Sequence, residues 1–418
     1  EAFTVQNVGD AEKLLADGAT VTAEYRTPFA VHAHLEAQAA LADVQPDGTR
    51  VWCSTQGQTG VRDAVAKALG VEAKTVEVIP TYLGGGFGRK VGDEVAVEAA
   101  RLSQAAGVPV HVGWTRTEDM RYGYFRPPTH HRLAASLDGA GNITAIEHRQ
   151  ASGDVAFDFL PNFLITVMGA DFGAYRGAFI RYAVPNKRTI AHRVKLPIRT
   201  GWWRGLGLLA NTFAVESFID ELAHAAGADP LQFRLRHLDP AEPTQARLAA
   251  VLNAAAELGG WGTAAPAGRA RGIACCLDVD TAVAMVAQVS VDEATGKIRV
   301  HHVAAAMDPG LVVNPDGARA QVEGNIMWGV GSALIEELTF ADGQVVAANF
   351  DGYPLLTMKD APVVEVALLE AGDGRPRGVG EPPIGPVAPA IANAVFALTG
   401  KRLRQLPMNA ARVLAAPA

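Results

Sequence analysis

Cysteine is almost absent from this chain, with only Cys53, Cys275 and Cys276 among 418 residues. So few thiols at these spacings exclude a disulfide framework, a zinc site and an iron-sulfur ligand set, so any redox centre must be held in another way or by another subunit. Basic charge is not in excess either: 37 Lys and Arg against 44 Asp and Glu give a net charge of -7, which argues against a nucleic-acid surface. No run of 18 or more apolar residues is free of polar breaks, so no spanning helix is read. Solenoid-period repeats, low-complexity tracts and long charge runs are lacking. The sequence opens at Glu1 without Met or a signal-peptide pattern, so the expectation is an upstream segment that was removed or sits on a separate chain. Periplasmic, membrane-associated and cytoplasmic placements all stay open.

What is present is apolar and divided. A hydrophobic content of 49% over this length suits large cores and two or three domains. The stretch 263–271, Thr-Ala-Ala-Pro-Ala-Gly-Arg-Ala-Arg, is the best linker by composition and separates regions 1–262 and 272–418. Helical spacing predicts helices over 10–16, 60–69, 91–106, 210–226, 318–334 and 390–398. Strand patterns cover 50–54, 75–80, 108–114, 132–137, 143–152, 282–291 and 297–306, with a hairpin at Asp138-Gly-Ala-Gly-Asn. His130 and His131, adjacent on a strand, point to opposite faces and do not form a shared metal site.

One acid stands out. Glu381 lies in Gly378-Val-Gly-Glu-Pro-Pro-Ile, framed by glycines at 378 and 380 and stiffened by Pro382 and Pro383. A rigid apolar frame is expected to desolvate the carboxylate and raise its pKa, as for a general base. The competing reading is a loop Glu that caps the following helix.

Three further stretches invite a ligand. Leu83-Gly-Gly-Gly-Phe-Gly-Arg-Lys90 frees backbone amides for a phosphate, with Arg89 and Lys90 adding positive charge; a tight turn is the alternative. Neither common nucleotide fingerprint fits it. Gly201-Trp-Trp-Arg-Gly-Leu-Gly207 offers Arg204 to an anion, or as a partner for Glu216 or Asp220. Gln321-Val-Glu-Gly324 and Gly329-Val-Gly331 put small residues on a helix, for close packing or a ligand.

In order, Ser54-Thr-Gln56, Gly84-to-Gly88, Trp203-Arg-Gly205, Gln321-to-Gly324 and Gly380-Glu-Pro-Pro383 resemble the molybdenum-binding subunits of the xanthine oxidase/aldehyde oxidase superfamily. The isoquinoline 1-oxidoreductase and aldehyde dehydrogenase type is most similar. That likeness rests on Gly84-to-Lys90, Thr200-Gly-Trp-Trp-Arg, Glu216-to-Ala223, Asp229-Pro and Thr399-to-Pro407, and it runs over essentially the whole chain.

The resemblance implies an α+β, multi-domain molybdopterin-binding fold of mixed sheets with packed helices. It implies a molybdenum-molybdopterin cofactor, plain or as the cytosine dinucleotide, with no protein ligand on the metal. Carried over, Gln56, Gly85, Gly86, Phe87, Gly88, Arg204, Gly205, Gln321 and Gly380 bind the cofactor, and Glu381 is the catalytic base in hydroxylation of an aldehyde or N-heterocycle with oxygen from water. An iron-sulfur subunit with 2Fe-2S clusters is the expected electron acceptor, and a cytochrome or flavin subunit is a further candidate partner. The family's upstream Gly-Gln-Gly loop is missing, which points to the C-terminal part of a split or cleaved subunit whose other half lies on a partner chain. Lys90, Val91, Gly92 and Asp93 stand where purine-oxidising relatives carry a Glu, against purine specificity. The alternatives are a non-catalytic assembly or cofactor-carrying subunit, and a nucleotide-dependent dehydrogenase using the 84–88 loop.

Overall fold

The computed structural model describes residues 2–16, 18–19, 21–160, 162–370 and 373–417. Three sheets carry the architecture. A five-stranded sheet has the spatial order Ala2–Val8, Asn186–Arg193, Ile143–Ser152, Thr129–Leu137 and Val21–Thr27, antiparallel except between Ile143–Ser152 and Asn186–Arg193. Its hairpin forms where composition placed it: Asp138 Oδ1 accepts from the amides of Ala140 and Asn142, and Gly141 takes a φ of 76°.

A smaller sheet, Val76–Pro80, Gly48–Cys53, Ala39–Gln45 and Val110–Gly113, packs under the helices Gln58–Leu69 and Glu94–Ala106 and has its own apolar cluster. The third sheet runs Ala270–Asp278, Thr281–Asp292, Lys297–Asp308 and Val363–Leu368, the last pair parallel. Residues 281–289 are buried without alternation because helices Pro243–Leu258 and Val387–Thr399 both pack against that strand.

Between the first and third sheets lies the helix Leu208–Ala225, buried from Leu208 through Ala223. Its acids are all partnered, as buried charges must be. Glu216 meets Arg234 Nε at 2.9 Å, Asp220 meets Arg402 Nη1 at 2.9 Å, and Glu221 takes a fork from Arg404 at 2.8 and 2.6 Å. Arg204 is therefore not the partner of Glu216 or Asp220.

Several boundaries differ from expectation, three of them with a clear cause. The helix expected from 91 starts at Glu94, because Arg89–Val91 form a 3-10 turn whose Lys90 carbonyl accepts from Gln56 N at 2.8 Å. The helix expected from 318 starts at Pro315, capped by Asn314, whose Oδ1 accepts from Gly317 N at 2.9 Å. Ala270 and Arg271, placed in the linker, already belong to a strand. Pro382–Thr399 has the length and apolarity to cross a membrane, but 78% of it is buried inside the protein, as a core helix.

Candidate functional site

The acid at 381 is reached by donors from distant parts of the chain. Glu381 Oε1 accepts from Gly205 N at 3.1 Å, and Oε2 stands 2.7 Å from Arg176 Nη1. Arg176 lies just after a turn, Phe172–Tyr175, capped by Asp171, and its other nitrogens fork onto Asp278 at 2.6 Å each. Burial works against the Arg176 charge, but Asp278 and Glu381 outweigh it and raise its pKa. The expected apolar cage is thus corrected: the Glu381 side chain is 39% exposed and has a cationic partner. The capping alternative also falls: the helix Val387–Thr399 has Pro386 at its N-cap, and Glu381 makes no capping bond to the intervening turn Pro382–Ile384.

Neighbouring backbone is locked to the same place. Arg204 donates from Nε to the Gly380 carbonyl at 2.8 Å and from Nη2 to Gln321 Oε1 at 2.7 Å. Asn325 Nδ2 donates to the same carbonyl at 3.1 Å, so helix Pro315–Leu334 and the Glu381 loop are tied together. At Gly329 that helix runs so close to Val387 that a Cβ would meet it at 2.7 Å, whereas at Gly324 a Cβ would have 3.7 Å to Arg204 Nη1. Gly329 serves packing, and Gly324 leaves room.

The glycine-rich loop docks on the tryptophan loop. Gly85, Phe87 and Gly88 take φ values of 96°, 54° and 107°. A Cβ on Gly88 would come within 2.4 Å of the Trp202 carbonyl, so only glycine allows that approach. Phe87 O accepts from Arg204 N at 2.9 Å, and Gly88 N donates to Gln56 Oε1 at 3.0 Å. The Phe87 ring meets Trp328 with centroids 3.7 Å apart, and Trp328 meets Trp203 at 5.5 Å.

Arg89 and Lys90 do not supply positive charge to a ligand. Each is 1% exposed. Arg89 pairs with Glu94 at 3.2 Å and lies 4.9 Å from the Tyr124 ring centroid, and Lys90 is held by Glu36 and, at 2.9 Å, by Ser54 Oγ. His130 and His131 face opposite ways as expected: His130 meets Glu24, while His131 is buried against His148.

Of the residues singled out from sequence, Gln56, Phe87, Gly88, Arg204, Gly205, Gln321, Gly380 and Glu381 are joined by hydrogen bonds or through adjacent residues, and Gly85 and Gly86 belong to the same loop as Phe87. Sequence reasoning missed Arg176, Asp278 and Trp328, which lie in none of the motifs and act through long-range contacts. The signal available was Asp171-Phe-Gly-Ala, a turn-capping pattern before Arg176.

The site also suits a pterin-borne metal. Among the described residues no three His, Cys, Asp or Glu side chains gather as a metal site. Gln56 offers its Nε2 group, since its Oε1 is taken by Gly88. Gly380 and Gly324 leave open backbone beside Gln321 and Arg204.

A family model described as a molybdopterin cofactor-binding domain matches residues 1–238, and a second such model matches residues 271–362. The chain belongs to the molybdopterin-binding family of the xanthine oxidase type. It is 32% identical to a subunit of nicotinate dehydrogenase from Pseudomonas putida, over 99% of this chain and 36% of that protein. The beta subunit of isoquinoline 1-oxidoreductase from Brevundimonas diminuta is 33% identical, over 93% of this chain and 50% of that protein. The membrane-bound aldehyde dehydrogenase of Gluconacetobacter polyoxogenes is 32% identical, over 94% and 53%. The chain thus spans about half or less of the length of these curated relatives. Among solved structures, quinoline 2-oxidoreductase from Pseudomonas putida 86 shares the fold with a TM-score of 0.86 at 16% identity, over 100% of this chain and 79% of that one. The aldehyde oxidoreductase from Desulfovibrio gigas does so with a TM-score of 0.81 at 18% identity, over 100% and 63%.

Proposed function

We propose that this chain is the catalytic, molybdopterin-binding portion of an oxidoreductase that hydroxylates an aldehyde or an N-heterocycle with oxygen from water. The observation that carries this reading is the convergence of Glu381 with Gly205, Arg204, Gly380, Gln321 and the Gln56-to-Gly88 clasp in one hydrogen-bonded site. When bound, the molybdenum-pterin group supplies two-electron oxidation. For an aldehyde the balance is substrate plus water giving carboxylic acid, two protons and two electrons.

Within that balance Glu381 takes one of the protons. Arg176 and Gly205 occupy one site on each carboxylate oxygen, and an ionised carboxylate offers about four, so capacity remains on the exposed side. Gln56, Gly86 and Gly88 on one wall, and Gln321, Gly380 and the Arg204–Gly205 backbone on the other, would hold the pterin. The Phe87 and Trp328 rings, in contact with each other, would flank it. The three cysteines are all buried, and on this reading 2Fe-2S centres on a partner subunit would accept the two electrons. Two of the relatives are named as subunits of larger enzymes, which supports a heteromeric assembly in which further chain, on the same or another polypeptide, completes the pocket. The cytosine dinucleotide form belongs to the same proposal.

Metal and pterin analysis of the purified complex tests this. One molybdenum and one pterin per copy of this chain are expected. A complex that retains its partner chains and contains neither would overturn the reading.

A further inference from the structure

The two donors that hold Glu381 sit on separate segments, and one buried side chain joins them. Asn211, in the first turn of helix Leu208–Ala225, is 0% exposed. Its Nδ2 lies 2.9 Å from the Ala174 carbonyl, 3.0 Å from the Arg176 carbonyl and 3.0 Å from the Gly207 carbonyl. Three acceptors around one nitrogen fix the amide orientation, because the flipped form would set an oxygen against three oxygens. With only two hydrogens to give, the group shares them among the three.

Those carbonyls belong to the segments that matter. Arg176 gives the guanidinium that meets Glu381 Oε2, and the turn 205–207 gives the amide that meets Oε1. The two segments are already pressed together: Gly207 N donates to Gly173 O at 2.9 Å, and a Cβ on Gly207 would come within 2.3 Å of Ala174 O. Asn211 Oδ1 has no hydrogen-bond partner among the described residues. A buried unpaired acceptor is costly, and an apolar residue of the same shape would avoid it. What an apolar residue could not do is donate to the carbonyls on both segments.

We infer that Asn211 is a positioning residue for catalysis, holding Arg176 and the Gly205 amide at the spacing that orients the Glu381 carboxylate. This rests on the reading of Glu381 as the base. It sets the direction of the carboxylate and leaves substrate binding alone.

The test uses the intact complex carrying Asn211→Leu, which keeps the branched shape and has no donor. Asn211→Ser is the second variant, because a serine hydroxyl can still bond the Gly207 carbonyl within the helix but not the other two. Molybdenum content, KM, kcat and amide hydrogen exchange of the peptides spanning 172–178 and 203–208 are measured together. The expected result is a kcat lowered roughly 10- to 100-fold, consistent with a small misplacement of a reacting group. KM and molybdenum content stay near wild type, and exchange is faster in both peptides. Wild-type exchange in those peptides, or a loss of kcat that only tracks lost molybdenum, would overturn the inference. If Glu381→Gln turns over normally while the Asn211 variants still loosen both peptides, the base reading fails and the joining role stands.

Discussion

Arg176 Nη1 lies 2.7 Å from Glu381 Oε2 while the same guanidinium forks onto Asp278 through two bonds of 2.6 Å. One cation therefore serves a buried acid and a half-exposed one. Asp278 fixes the arginine, and the arginine in turn orients the Glu381 carboxylate toward the proposed cofactor site.

Replacing Arg176 should accordingly damage two properties at once. Asp278 is 5% exposed, and an uncompensated buried charge costs about 3–5 kcal/mol. Arg176→Met should lose stability on that scale in denaturant unfolding, and Arg176→Lys should keep part of it while lowering kcat, because an ammonium cannot hold both acids in one plane. Unchanged stability in Arg176→Met would show that Asp278 does not depend on the pair.

Gly88→Ala addresses the clasp between loops. A left-handed φ of 107° and a Cβ 2.4 Å from the Trp202 carbonyl both oppose the change. The conformational cost alone is about 1–2 kcal/mol, and the clash forces the loops apart. The expected outcome is a lower melting temperature together with loss of bound molybdenum, measured on the same preparation. Retention of full metal content would mean that the 84–88 loop is not part of the cofactor pocket.

Away from the site, Glu336 gives the fold a pH dependence. It is 3% exposed, and burial pushes its carboxyl up to about 7 from 4.5, opposed by the Arg126 charge and the Tyr353 hydroxyl, 3.1 Å away. Between those values the folded state binds more protons than the unfolded one, so stability falls as pH rises from about 4.5 to 7. The total is on the order of 3 kcal/mol. Urea unfolding at a series of pH values should show that fall in the wild type and a flatter profile in Glu336→Gln. Parallel profiles would assign the pH dependence to other groups.

How far the sequence disclosed this arrangement depends on the range of the contacts. The hairpin at Asp138 to Asn142 and the helices expected over 60–69 and 390–398 were legible, though their starts lie at Gln58 and Val387, because their turn residues and periodicity are local. The Glu381, Gly84-to-Gly88 and Trp203-to-Gly205 stretches stood out because glycine and proline mark unusual backbone. Their environments did not. Lys90 looked free to meet a phosphate, yet Glu36, 54 positions upstream, takes its charge. Glu381 looked caged by apolar neighbours in sequence, but its partners Gly205 and Arg176 lie in remote segments, the first 176 positions away. Asp278 and Asn211 carry no local pattern, and the capping pattern before Arg176 marks a turn but not its partners, since these roles exist only once the first and third sheets close on the helix between them.

The central claim is that Glu381 takes a proton during turnover, and Glu381→Gln in the intact, metal-loaded complex tests it most directly. Glutamine keeps the size and the Gly205 contact but is not a base. The expected result is normal molybdenum and pterin content with kcat lowered by about 100-fold or more, the scale of a lost general base. Turnover of an aldehyde or heterocycle near the wild-type rate, with the cofactor in place, would contradict it.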